Sequence, residues 1–396
     1  MILKNIGIFH GNDLDYINST NLKISGQHFD EINNNDILSN NNESTIDCEG
    51  LVLVPGFINA HTHIGDSIAK DINLSLTVNE KVNPIYGMKK YILNNSSPSH
   101  LASYMRSSCN SMLKKGITTF VDFREGGIDG IILLNKVLKS VPINCIVLGR
   151  IEYYQTGAQI KNNEFLSHEQ NHDLSIISKH ADGLGISGAN EYSDSILHCF
   201  SQIPKIRAIH SAETMASVEK SKQVTNKSEI ERALQLKPHF IIHMTYASEH
   251  DLLVTRKYVD TIVICPRSNA TMAEKIPNVY QMMKLRYNIA IGTDNVMLNT
   301  PDMFREMDYL WKSTMAINRT KISPKHILKM ATVNPGKILH NKGTIKTGAI
   351  ADCIFIKKHD IDLDPIHDPH AAMVHRASES SIQAVMIDGK IVHGKI

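Results

Sequence analysis

The stretch VLVPGFINAHTH, residues 52–63, decides how the rest of the chain is read. An apolar run, Phe57 to His61, follows a Pro55-Gly56 break and ends on polar side chains. In an extended strand residues i and i+2 face the same way, so His61 and His63 can reach one ion together. With 20 histidines in 396 positions, about one such pair arises by chance, so the pair needs support from elsewhere.

Working outward, the same design recurs. KIRAIH ends on His210, HFIIH on His243, and IAIGT runs into Asp294. Apolar runs of strand length alternate with helix-length stretches over about 250 residues. The strands expected are Phe57 to His61, Thr118 to Phe123, Asn144 to Arg150, Gly183 to Ser187, Ile206 to His210, Phe240 to His243, Ile262 to Cys265 and Ile289 to Gly292. Their unbroken apolar character predicts strands buried on both faces, as in a parallel sheet. Leu101 to Lys115 and Glu229 to Leu236 read as helices between them. This is the pattern of an α/β chain folded as a (β/α)₈ TIM barrel. A doubly wound open sheet would begin with a Gly-rich phosphate turn, and none follows an early strand.

Both ends of the chain read differently. Ile2 to Phe9 and Leu22 to Ser25 alternate like exposed strands, and an Asn-rich segment, Asn33 to Asn42, reads as a solvated loop. Beyond His340 come short strands again: Gly343 to Ile345, Cys353 to Lys357 and Ala384 to Val392, punctuated by Asp388-Gly389. We expect residues 1–54 and 341–396 to form one small β domain beside a barrel of residues 55–340.

Composition narrows the function classes. The formal charge is +2, which favours neither nucleic acid nor an acidic membrane surface. No segment approaches the roughly 20 apolar residues of a membrane span, and MILKNIGIFHG lacks the features of a signal peptide. The six cysteines are scattered singly, without CxxC spacing, which fits a reducing, cytoplasmic setting and no thiolate site. The expected partner is a small-molecule substrate.

In a barrel, strand C-terminal ends carry the chemistry. His61, His63, His210, His243 and Asp294 all sit there, and a shared ion would satisfy polar groups that are costly to bury alone. Nitrogen and carboxylate donors suit one divalent metal, zinc best, with iron, manganese or nickel as alternatives. Glu213, in HSAET, follows His210 closely enough to shuttle a proton, although a helix dipole would favour a glutamate there anyway. A rival motif, HEQNH at His168 to His172, fits the HExxH pattern of zinc peptidases, with Glu169 as base. Its flanks are polar and it falls between two expected strands, where a surface helix belongs.

These residues resemble the amidohydrolase superfamily, and within it the branch of cytosine, guanine and S-adenosylhomocysteine deaminases and triazine chlorohydrolases. The matching text is VLVPGFINAHTH, GITTFVDF, HSAET, HMTYAS, CPRSNA, GTDNVM with PDMFREM, and GTIKTGAIADCIFI, spanning nearly the whole chain in the family's order. The resemblance implies a barrel flanked by a β-sandwich built from both termini. It implies one metal held by His61, His63, His210 and Asp294, with His243 hydrogen-bonding the attacking water. Glu213 would move protons to the substrate, and Asp294 would take the water's proton. The implied activity is release of ammonia from a nitrogen heterocycle by hydroxide generated at the metal. Opening of a cyclic amide, as in imidazolonepropionase-like members, is the alternative. The resemblance is also consistent with a homo-oligomer.

Some segments depart from the family pattern. GLGISGANEYSD lacks the lysine of dinuclear members, which leaves Glu191 as a substrate contact or bridge. IGDSIAKDI places Asp66 where it either contacts substrate or caps a turn, FREGG places Arg124 where a substrate contact is expected, and Arg150 ends the neighbouring strand. The arginines either bind an anionic substrate group or form a structural ion pair with Glu125.

Overall fold

The computed structural model describes residues 1–35, 37, 43–339 and 342–396. Most of the Asn-rich segment, and the expected barrel end at His340, lie outside them.

The central sheet is parallel and follows chain order through Phe57–His63, Ile117–Arg124, Asn144–Gly149, Gly183–Ile186, Ile206–Ser211, Phe240–His243, Thr261–Ile264 and Asn288–Ile291. The short segment Asp294–Asn295 then pairs with Thr62 and His63 of the first strand, which closes the barrel. The eighth strand is thus broken in two, with Gly292 in the break. A Cβ on Gly292 would lie 2.6 Å from His61 Cβ, so only glycine permits this approach. Side chains such as Val121, Phe123, Leu148, Ala208, Ile242 and Ala290 fill the interior.

Helices cover the outside. The helix Pro98–Lys114 starts on Ser97, whose hydroxyl accepts from His100 N–H, with proline at its first position. Met105, Cys109, Met112 and Leu113 form its buried stripe at helical spacing. The helix Met303–Asn318 docks on the first strand through an edge-on contact of Phe304 with Phe57, 4.9 Å between centroids.

The chain ends build the second sheet. Its strands run in the order Lys390–Gly394, Ile382–Ile387, Cys353–Lys357, Leu51–Pro55, Ile2–His10, Asp15–Ser25 and His28–Asn33, and Thr45–Asp47 also pairs with Ile2–His10. Leu53, Cys353 and Phe355 face its own core, whereas Val52, Val54, Ile354 and Ile356 face the barrel's helices. That period-two division lets one sheet serve two interfaces. The sheet also folds back on itself. The turn at Gly26 abuts the turn at Gly389, from opposite ends of the strand order: a Cβ on Gly389 would meet Gly26 O at 2.3 Å. This gives the two layers of a sandwich.

The expected strand Gly343 to Ile345 is reduced to a single bridge between Ile345 and His10. The expected segment Ala384 to Val392 is a hairpin, with the expected turn at Asp388-Gly389, where both residues have positive φ. Among the described residues no helix is long and apolar enough to cross a membrane.

Candidate metal centre

The strand ends converge as expected. His61 Nε2 is 3.2 Å from Asp294 Oδ1 and 3.1 Å from His210 Nε2. His63 Nε2 is 3.4 Å from His210 Nε2 and 3.6 Å from Asp294 Oδ1. Donor atoms of His61, His210, His243 and Asp294 all lie within 4.8 Å of one another. His243 therefore joins the tightest group, while His63 stands beside it.

The outward nitrogens explain the inward ones. His210 Nδ1 donates to Ile186 O at 3.0 Å, and His63 Nδ1 lies 2.8 Å from Glu125 Oε1 and 3.2 Å from Phe123 O. With the proton on Nδ1, each ring turns an Nε2 lone pair inward. Burial pushes the His61 pKa down to about 3 and holds His210 well below its ordinary value, so both rings are neutral. Burial alone would raise Asp294; the His61 hydrogen bond and positive charge among the surrounding rings hold it well below the usual carboxylate range, and where the rings are neutral that charge must come from a cation. Neutral imidazoles with facing lone pairs beside a buried carboxylate repel one another. They fit a divalent cation, as does His243, whose two ring nitrogens are buried without hydrogen-bond partners.

Local structure places each group. Asn59 accepts from Thr293 N–H at 2.9 Å and donates to Thr293 Oγ1 at 2.7 Å, fastening the broken eighth strand to the first. Ser268 Oγ donates to Asp294 Oδ2 at 2.5 Å, leaving Oδ1 toward the histidines. His243 and Asp294 both take left-handed backbone angles, φ 73° and 60°, sparsely populated states that turn the chain abruptly at the barrel mouth.

Glu213 is reached through another left-handed residue, Ala212, whose N–H donates to Glu229 Oε2 at 3.0 Å. That turn carries the Glu213 carboxylate to 3.6 Å from His243 Nε2, with its side chain 26% exposed. Burial raises its pKa, countered in part by His243.

A cavity of about 160 Å³ opens over the site, lined by His63, His210, His243, Glu213 and Asp294. Arg150 and Glu191 also line it. Arg150 is buried with Nε and Nη1 unpartnered, and Glu191 has an unpartnered Oε2. The other two expected substrate contacts do not line this cavity. Asp66 is fully buried, accepting from Asn295 Nδ2 at 2.7 Å and Met297 N–H at 3.0 Å. Arg124 points toward Asp122 and Glu125, at 3.7 and 3.5 Å, which is the structural ion-pair alternative.

The HEQNH segment opens the helix His168–His180, which buries Leu174 and Ile177. His168, Glu169 and His172 are exposed, away from any convergent donor group among the described residues. The peptidase reading therefore fails on placement. Sequence reasoning missed Ser268 and Lys89, and it named Glu125 as a partner of the arginines but not of His63. Glu125 ends a barrel strand in the same way as the ligands do, a signal that was available. Lys89 carried none.

Residues 52–392 match the model of the amidohydrolase family. The chain is 34% identical over 351 residues to a putative aminohydrolase of Methanothermobacter thermautotrophicus, covering 88% of each protein. It is 27% identical over 418 residues to a 5-methylthioadenosine/S-adenosylhomocysteine deaminase of Thermococcus sibiricus, covering 99% of this chain and 93% of that one. Its fold is similar to a zinc-bound adenosine deaminase of Xanthomonas campestris, with a TM-score of 0.81 at 17% identity, covering 98% of this chain and 92% of that one.

Proposed function

The chain belongs to the amidohydrolase family, and on that premise we propose that it is a metal-dependent hydrolytic deaminase of an amino-substituted nitrogen heterocycle. The observation that carries this reading is Glu213: a partly buried carboxyl of raised pKa, 3.6 Å from His243, at the mouth of a buried histidine–aspartate group. A site that merely held a metal would need no such proton carrier. The relatives named as deaminases support the same reaction class.

His61, His63, His210 and Asp294 would hold the metal; His63 is preferred to His243 because Glu125 fixes its outer nitrogen and turns Nε2 inward, whereas neither nitrogen of His243 is anchored. Zinc suits these donors best and is present in the Xanthomonas structure. When bound, such an ion supplies Lewis-acid chemistry, acidifying water toward a pKa of about 7. The chain's own groups do the rest. Asp294, held ionised, accepts a proton from water. His243 stabilises charge that develops on the attacked carbon's substituents. The attacking water supplies both protons: Glu213, ionised at the start, takes one and carries it to the ring nitrogen, and the one that Asp294 accepts passes on to the departing amine, which leaves poorly as an anion. Arg150 N–H groups and the Glu191 carboxylate, unpartnered on the cavity wall, orient the substrate. The free thiols of all six cysteines support a cytoplasmic setting.

The test is an ammonia-release screen of zinc-loaded protein over purines, pyrimidines, pterins and guanidino compounds. We expect release from at least one class, lost on chelation and restored by zinc. Silence across the screen, with a full equivalent of metal bound, overturns deamination and leaves cyclic-amide hydrolysis at the same site.

A further inference from the structure

Two segments that depart from the family pattern, IGDSIAKDI and FREGG, meet at one buried side chain. Lys89 lies on the short helix Met88–Asn94 and is 5% exposed. Its Nζ is 2.5 Å from Glu125 Oε1 and 3.3 Å from Asp66 Oδ2. Each carboxylate in turn touches one flank of the metal centre. Glu125 Oε1 is the atom 2.8 Å from His63 Nδ1. Asp66 binds Asn295 and Met297, in the segment directly after Asp294.

The competing contacts around Glu125 decide what Lys89 does. Arg150 Nη2 is 3.8 Å from Oε1 and Arg124 Nη2 is 3.5 Å from Oε2, both beyond close hydrogen-bonding range. Among the described residues, only Lys89 makes a close charged contact at the oxygen that also takes the His63 proton. Without it the carboxylate would relax toward the two guanidinium groups, and His63 Nδ1 would keep only the backbone acceptor Phe123 O at 3.2 Å. Outer partners of this kind set the orientation and basicity of a ligating imidazole.

We propose that Lys89 is a positioning residue of the metal centre: by clamping Glu125 and Asp66 it holds His63 and the Asp294 segment in ligating register. The inference rests on the metal-centre reading above. It also assigns a purpose to the residues between the first barrel strand and the helix Pro98–Lys114, which bring Lys89 over the cavity.

The experiment is cobalt titration of the metal-free protein against a chromophoric chelator, with the visible spectrum of the bound cobalt recorded in parallel. Melting of each metal-free variant controls for folding. Lys89→Met should weaken cobalt binding about tenfold or more, the range seen for outer partners of metal-ligating histidines, and shift the cobalt spectrum. Glu125→Gln should do the same. The double variant should lose clearly less than the product of the two single losses, because Lys89 acts on His63 through Glu125 and only its Asp66 arm remains to be lost once Glu125 is changed. Should Lys89→Met not fold, Lys89→Gln is read by the same criteria. Losses that simply multiply in the double variant, or cobalt binding by the Lys89 variant within twofold of the parent, overturn the proposal. A parent chain that binds no cobalt overturns the metal-centre reading, and this proposal with it.

Discussion

Replacing Glu213 by glutamine isolates the proton carrier from everything else at the site. The side chain is 26% exposed and makes no hydrogen bond to another described residue, so its amide costs little to accommodate. Stability should stay within about 0.5 kcal/mol of the parent, as for substitutions that disturb no buried partner. Metal content should stay at the parent's level, because Glu213 lies outside the group of converging donor atoms. Turnover should fall by about 10²–10⁴, the usual contribution of a positioned acid–base group. That loss corresponds to roughly 3–5 kcal/mol of activation free energy. It should fall in kcat rather than KM, since the proton transfer that Glu213 mediates belongs to the chemical steps and not to substrate binding. Burial raises the Glu213 pKa, so the acid limb of the parent's pH profile should lie above the ordinary glutamate range, and the variant should lose that limb. Steady-state ammonia release with metal analysis of the same sample gives both numbers. A variant with full metal and kcat within fivefold of the parent would refute the assignment.

Other expectations concern the frame around the site. Gly292→Ala drives a methyl group to 2.6 Å from His61 Cβ and 2.9 Å from its backbone N and O. It should lower stability by about 1–3 kcal/mol, the cost of overpacking, and loosen metal binding; urea midpoints unchanged within error would contradict this. Glu229 is pushed up to about 7 by burial, above its unfolded value near 4.3. Its stabilising protonated form is complete below the unfolded value and is lost as pH rises through about 7, so stability of the metal-free protein should decline across that window. Glu229→Gln should flatten the decline, and an identical slope in parent and variant would argue against it. Replacing His168 and His172 together by alanine should leave metal content and turnover unchanged, whereas collapse of either would return attention to HEQNH.

The barrel was legible because its strands are buried on both faces. Runs such as FIIH and TIVI are apolar except at one end, and those ends fall within about one residue of expectation. The small sheet was harder to read. His28–Asn33 exposes most of its side chains, and Asp15–Ser25 is half polar, so neither carries a continuous apolar signal. The candidate metal ligands, the histidines and Asp294, were readable because each lies at the end of an apolar run. Arg124 and Asp66 were placed at the right end of the barrel but turned away from the cavity, since strand position does not determine which way a loop side chain swings. Lys89 was invisible: it sits in a polar excursion without periodicity, and only the folded chain brings it against Glu125 and Asp66.

Leu51–Pro55 pairs with Ile2–His10 on one side and with Cys353–Lys357 on the other. During synthesis the second neighbour emerges about 300 residues later, roughly 15–60 s at ordinary ribosomal speeds. Throughout that interval an apolar strand edge stands open on the nascent chain, the kind of surface that recruits stray strands. Leu51–Pro55 thus waits for its second neighbour until almost the whole barrel has been made, and the tail seals the seam last.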